Sequence, residues 1–132
     1  MKLGLKLFGK NITALERFKD LFDFFEIYVE PDMKIQSLKN IEIPLTIHVA
    51  HHSCGFNAAD PAKKRLNKRI LQHAFKAADL VDARWLVVHP GYAVSSDAEK
   101  VMLSFFDQFS SKRLLFENCP HVDYSEKKEH YL

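Results

Sequence analysis

The apolar positions change period several times along the chain, and the order of those changes is its strongest structural signal. Residues 3–8 alternate apolar side chains with small or basic ones and predict a strand. Asn11, Ile12 and Thr13 then offer a helix start, followed by Leu15, Phe18, Leu21 and Phe22 at three- and four-residue spacing. A strand-like run over residues 25–29 stops at Glu30 and Pro31, because proline has no N–H to give to a ladder. Residues 33–40 read as a short connection with one helical turn.

The second half is more regular. Residues 44–49 predict a third strand, and residues 51–59, with Gly55 and Asn57, predict a loop. Asp60 as N-cap and Pro61 at the first helical position open the longest helix. Leu66, Ile70, His73, Ala74, Ala77 and Val81 mark its buried side. Residues 85–88 form a fourth strand, closed by His89, Pro90 and Gly91. Ser95, Ser96 and Asp97 cap a helix carrying Val101, Phe105, Phe106 and Phe109. Residues 113–116 predict a fifth strand, ended by Glu117, Asn118, Cys119 and Pro120. The charged stretch 125–130 reads as loop or frayed helix.

Strands alternating with helices imply βαβ units and a parallel sheet. The expected fold is therefore α/β, with about five parallel strands and flanking helices in one domain over residues 1–132. The runs Leu86, Val87, Val88 and Leu114, Leu115, Phe116 are apolar throughout, as expected for parallel strands buried on both faces.

Composition narrows the class further. A 132-residue chain that is 47% hydrophobic and 27% charged has the material for one packed core, with eleven phenylalanines contributing. A net charge of +2 decides nothing about nucleic acid. Lys63, Lys64, Arg65, Lys68 and Arg69 form a local basic cluster, read first as a solvated helix face and second as a phosphate-binding patch. Cys54 and Cys119 make neither a disulfide framework nor a CxxC motif, which favours a reducing compartment. The N-terminus lacks a signal peptide's continuous apolar core. No apolar run approaches the roughly 18 residues of a membrane span. The expected location is the cytoplasm, with no membrane partner.

The chemistry gathers where the strands stop. His48 ends the third strand, His89 the fourth and Glu117 the fifth. Ligand sites in parallel α/β folds lie at the strands' carboxyl ends, so three strands deliver two imidazoles and a carboxylate to one rim. That is a ligand set for one divalent metal, zinc first, with manganese or iron also able to accept it. A metal there would activate water or polarise a carbonyl or phosphoryl oxygen. His51, His52 and Asn118 are near enough in sequence to orient substrate, and Glu117 is expected to act in catalysis as well as ligation. His73 and His130 read as structural. No GxGxxG or GxxxxGK[ST] loop is present. Ser53, Cys54 and Gly55 lack the surroundings of a nucleophile elbow, so Cys54 reads as an inert loop residue.

These segments resemble the xylose isomerase-like TIM-barrel superfamily and, within it, the endonuclease IV branch. The resemblance rests on Ile47, His48, Val49 and Ala50; Gly55, Phe56 and Asn57 ahead of Asp60 and Pro61; Val87 to Gly91 with its His-Pro-Gly; and Phe116, Glu117 and Asn118. It implies a partial (β/α)8 barrel reaching only the fifth strand, with His48, His89 and Glu117 as ligands of the first metal of a trinuclear cluster. It further implies a sugar, sugar phosphate or abasic DNA as substrate, handled by a hydrolase or an isomerase. The sequence departs from the branch at Lys6, where the first strand usually carries a histidine, and in lacking the ligands that later strands supply.

Two readings of the chain follow. It is the N-terminal part of a longer barrel, favoured because residues 121–132 show no edge-capping pattern, or a half-barrel that pairs with another copy. Open strand edges would make it a homo-oligomer if complete. The functional alternatives are a non-catalytic binding or oligomerisation module with a vestigial metal site, and a flavodoxin-like fold with a ligand at its switch point.

Overall fold

The computed structural model describes residues 1–109 and 111–117. The elements run β1 (Gly4–Phe8), α1 (Ala14–Phe18), β2 (Phe24–Val29), β3 (Leu45–Val49), α2 (Lys64–Leu80), β4 (Leu86–Val88), α3 (Ala98–Asp107) and β5 (Leu114–Phe116). Short 3-10 turns occupy Gly9–Asn11, Ile35–Leu38, His52–Cys54 and Pro61–Lys63. All strand pairings are parallel, and the sheet order is β1-β2-β3-β4-β5.

That sequential order excludes the flavodoxin-like alternative, in which the first two strands exchange places. Crossovers of one hand between successive neighbours send every connection to the same side of the sheet. Accordingly α2 packs on β2, β3 and β4. On the face turned to the helices, Leu7, Phe25, Ile27, Val29, Leu45, Ile47, Val49, Leu86 and Val88 are buried, while Leu5 and Leu114 are half-buried and Phe116 is exposed. The opposite face carries Lys6 and Phe8, Glu26 and Tyr28, Thr46 and His48, Val87, and Leu115, aligned by register. The side chains alternate between the faces because the strand period is two.

Local chemistry accounts for most element ends. The Asp60 carboxylate accepts from the Ala62 N–H at 2.9 Å and caps the turn that leads into α2. His73 Nε2 bonds the Met33 carbonyl at 3.1 Å, tying α2 to the loop after β2, as a structural histidine would.

Three expectations need correction. The helix spacing through Phe22 ends early, because α1 stops at Phe18 and Leu21 is 67% exposed. Asp23 is drawn to the sheet instead, its N–H bonding the Leu3 carbonyl at 2.8 Å and its carboxylate the Leu3 N–H at 2.7 Å. Asp97 makes no side-chain cap to α3, and the Ala98 N–H goes to the Ser95 carbonyl at 3.2 Å. Finally, β5 is not buried on both faces, since Leu115 is 41% and Phe116 56% exposed. Among the described residues β5 has a neighbour on one side only, so apolar composition alone does not bury it.

Candidate metal centre

His48 sits in the middle strand and is fully buried. Its Nδ1 lies 2.9 Å from the Val49 carbonyl oxygen. A carbonyl can only accept, so Nδ1 carries the proton and Nε2 presents a lone pair. Burial, then the Lys6 charge, holds this imidazole below its ordinary pKa, and it stays neutral and ready to ligate.

Two further ligand atoms converge on that lone pair. His89 Nε2 is 3.1 Å from His48 Nε2, and Glu117 Oε2 is 2.9 Å from His89 Nε2 and 3.4 Å from His48 Nε2. Tetrahedral ligands at about 2.0–2.1 Å from one ion stand roughly 3.3–3.4 Å apart, so this triangle needs little adjustment to hold one. Burial raises the Glu117 carboxyl, but the His89 hydrogen bond and the charges of His89, Lys6 and His48 outweigh it and leave the pKa lowered. The carboxylate form therefore dominates at neutral pH.

The loops that carry these atoms are fixed by a polar cluster around Asn57, which is fully buried. Its side-chain oxygen accepts from the Ala59 N–H and the Tyr92 N–H, each at 3.1 Å. Its amide donates to the Tyr92 carbonyl at 3.0 Å. Asn67 on α2 completes the cluster, accepting from the Asn57 N–H at 3.0 Å and donating to its carbonyl at 2.6 Å. The loop after β3 is thereby clamped to the loop holding His89. Gly91 makes the approach possible, because its φ is +119° and a Cβ there would fall 2.1 Å from the Asn57 oxygen. On the β5 side, the Glu117 N–H bonds the Val88 carbonyl at 3.0 Å and continues the ladder into the site.

His51 borders the triad. Its ring centre lies 5.3 Å from that of His89 and 4.8 Å from that of His52, on which it stacks. Its Nδ1 accepts from the Ser53 N–H at 3.4 Å, leaving the proton on Nε2 as a donor. Burial, with the neighbouring histidines, lowers its pKa to about 4. His52 is exposed on the outer side of that stack. Asn118 and Cys119 lie outside the described residues. Cys54 is half-buried, with its sulfur 3.5 Å from the Tyr28 hydroxyl.

Two contributors escaped the reading of the sequence. Tyr28 stands beside His48 in register, and its hydroxyl accepts from the His51 N–H and bonds Ser53 Oγ, both at 3.2 Å. The signal was its place on the polar side of β2, two residues after Glu26. Asn67 was signalled by a polar residue beside Leu66 and Ile70 on a buried helix face. A separate cleft of about 350 Å³ between the start of α2 and α3 is lined by Asp60, Lys64, Asp97, Lys100 and Phe105, and none of the triad lines it. Among the described residues no helix is long and apolar enough to cross a membrane.

Comparison with solved structures establishes the fold. The TTHB071 protein from Thermus thermophilus, soaked with ZnCl2, superposes with a TM-score of 0.61 at 21% identity, over 88% of this chain and 55% of its own. A D-tagatose 3-epimerase-like protein gives 0.65 at 20%, over 92% and 54%. Endonuclease IV from Thermus thermophilus gives 0.60 at 17%, over 98% and 54%. The chain has the fold of part of a TIM barrel and spans about half the length of these structures. No family model matches it, and no curated protein matches it by sequence.

Proposed function

We propose that this chain forms the metal-holding part of a barrel enzyme that acts on a sugar-type substrate, with His48, His89 and Glu117 as the ligands of one divalent ion. The observation that carries the reading is the convergence of three ligand atoms, 2.9 to 3.4 Å apart, at the carboxyl ends of three adjacent strands. Zinc comes first because two imidazoles and a carboxylate suit it, and because a protein of the same fold was soaked with ZnCl2. Manganese is the alternative.

A bound ion would supply Lewis acidity, polarising a substrate oxygen or acidifying water. The chain's own groups do the rest. His48, buried with its proton fixed on Nδ1, orients the site. His51 offers an Nε2 donor to a substrate oxygen and remains neutral down to a pH of about 4. Glu117 meets both histidines through Oε2, and its Oε1 would accept from a substrate hydroxyl. His52 would contact a more distant part of the substrate, and Asn118 is proposed as a further residue that orients it. A single site favours a sugar or sugar phosphate over an abasic-site phosphodiester, since among the described residues one such cluster is present.

Elemental analysis of the purified chain tests this. Close to one zinc or manganese per chain, lost in His89→Ala, supports the reading. No metal in the unmutated chain under chelator-free conditions overturns it and favours a non-catalytic partial-barrel module, associating through the β5 edge that has no partner among the described residues.

A further inference from the structure

The sheet face that carries the triad has a second polar group. Register sets Lys6, Glu26 and Thr46 side by side, two residues before Phe8, Tyr28 and His48. Lys6 Nζ lies 3.0 Å from Glu26 Oε1, with the two side chains 43% and 23% exposed. Barrel-facing layers of this kind are dominated by bulky branched side chains. A solvent-accessible ion pair contributes little to stability, so stability is a weak reason for charges here.

Recognition is a better one. An ammonium has three donors and a carboxylate about four acceptor sites, and this contact occupies one of each. Donor and acceptor stand about one hydrogen-bond length apart, as neighbouring hydroxyls on a carbon chain do. An anionic group would meet Glu26 as well as Lys6, so the pair offers it no net charge. The Lys6 ammonium is also near enough to act on His48 and Glu117. With strands about 4.8 Å apart and residues about 3.3 Å apart along them, the interval to the triad is on the scale of a short-chain sugar.

We infer that Lys6 and Glu26 form a hydroxyl-binding subsite that takes two adjacent hydroxyls of a neutral polyhydroxylated substrate, whose other end reaches His48, His89 and Glu117. The inference rests on the metal reading only for that other end.

Calorimetric titration of the whole chain, zinc-loaded and zinc-free, with xylitol, acetate and inorganic phosphate tests it. Lys6→Met and Glu26→Gln should each weaken xylitol binding about tenfold, with acetate binding, zinc stoichiometry and the melting temperature held. Lys6→Arg should keep most of the xylitol affinity. Xylitol affinity equal in wild type and both variants, or no xylitol binding to wild type, overturns the subsite. So does a larger loss for phosphate than for xylitol, which would mark an anion site. If the chain binds no zinc, the metal reading fails alone and the zinc-free titration still decides the subsite.

Discussion

β3 and β5 deliver ligands to the same point from opposite surroundings. β3 is the middle strand, with Ile47, His48 and Val49 fully buried. β5 has a neighbour on one side among the described residues, and Leu115, Phe116 and Glu117 are open to solvent. One ligand is therefore held rigidly in one tautomer and the other has room to move. The difference shows that a site can be preorganised on one side and adaptable on the other, and its consequences are measurable.

The largest effect should fall on β3. Ile47→Ala should cost about 2–5 kcal/mol by denaturant unfolding, the usual range for emptying a buried aliphatic site. Leu115→Ala on β5 should fall within about 1 kcal/mol, and comparable losses would erase the distinction. Next comes the clamp between the two loops. Asn57→Ala strips the Ala59 and Tyr92 N–H groups of their acceptor and should cost about 2 kcal/mol or more. It should also weaken zinc binding about tenfold, read by competition with a chromogenic chelator. An unchanged zinc affinity would mean the clamp does not position His89.

The pH dependence follows from the same contrast. His48 and His51 are held below their ordinary pKa in the folded chain. The unfolded chain therefore binds more protons at mildly acidic pH, and stability rises with pH there. Stability of the metal-free protein should be complete above a pH of about 6.5 and decline as pH falls from there toward 4, the folded value for His51. His51→Gln should flatten part of that decline, and a denaturation midpoint constant across the window would contradict the burial argument. The smallest effect concerns motion: amide exchange should be faster on β5 than on β3, because among the described residues β5 has a neighbour on one side only.

Much of this is legible in the residues. The apolar runs that stop at Glu30, His89 and Glu117 mark the ends of strands, and His48, His89 and Glu117 stand out as ligand types at strand ends. The loop Asn57 is visible as a motif, although its bonds to Tyr92 and Asn67 span 35 and 10 residues and no local pattern encodes them. The exposure of Leu115 and Phe116 is hidden because periodicity reports which face a side chain takes, not whether a neighbouring strand covers it. The short α1 is hidden because the Asp23 bonds to Leu3 override helical spacing.

The most direct test of the central claim is X-ray absorption at the zinc edge on the loaded chain. The loaded chain should hold one zinc with two imidazoles in its coordination shell, falling to one imidazole or to no bound zinc in His48→Ala. A shell without imidazole scattering, or one unchanged in that variant, would contradict the claim.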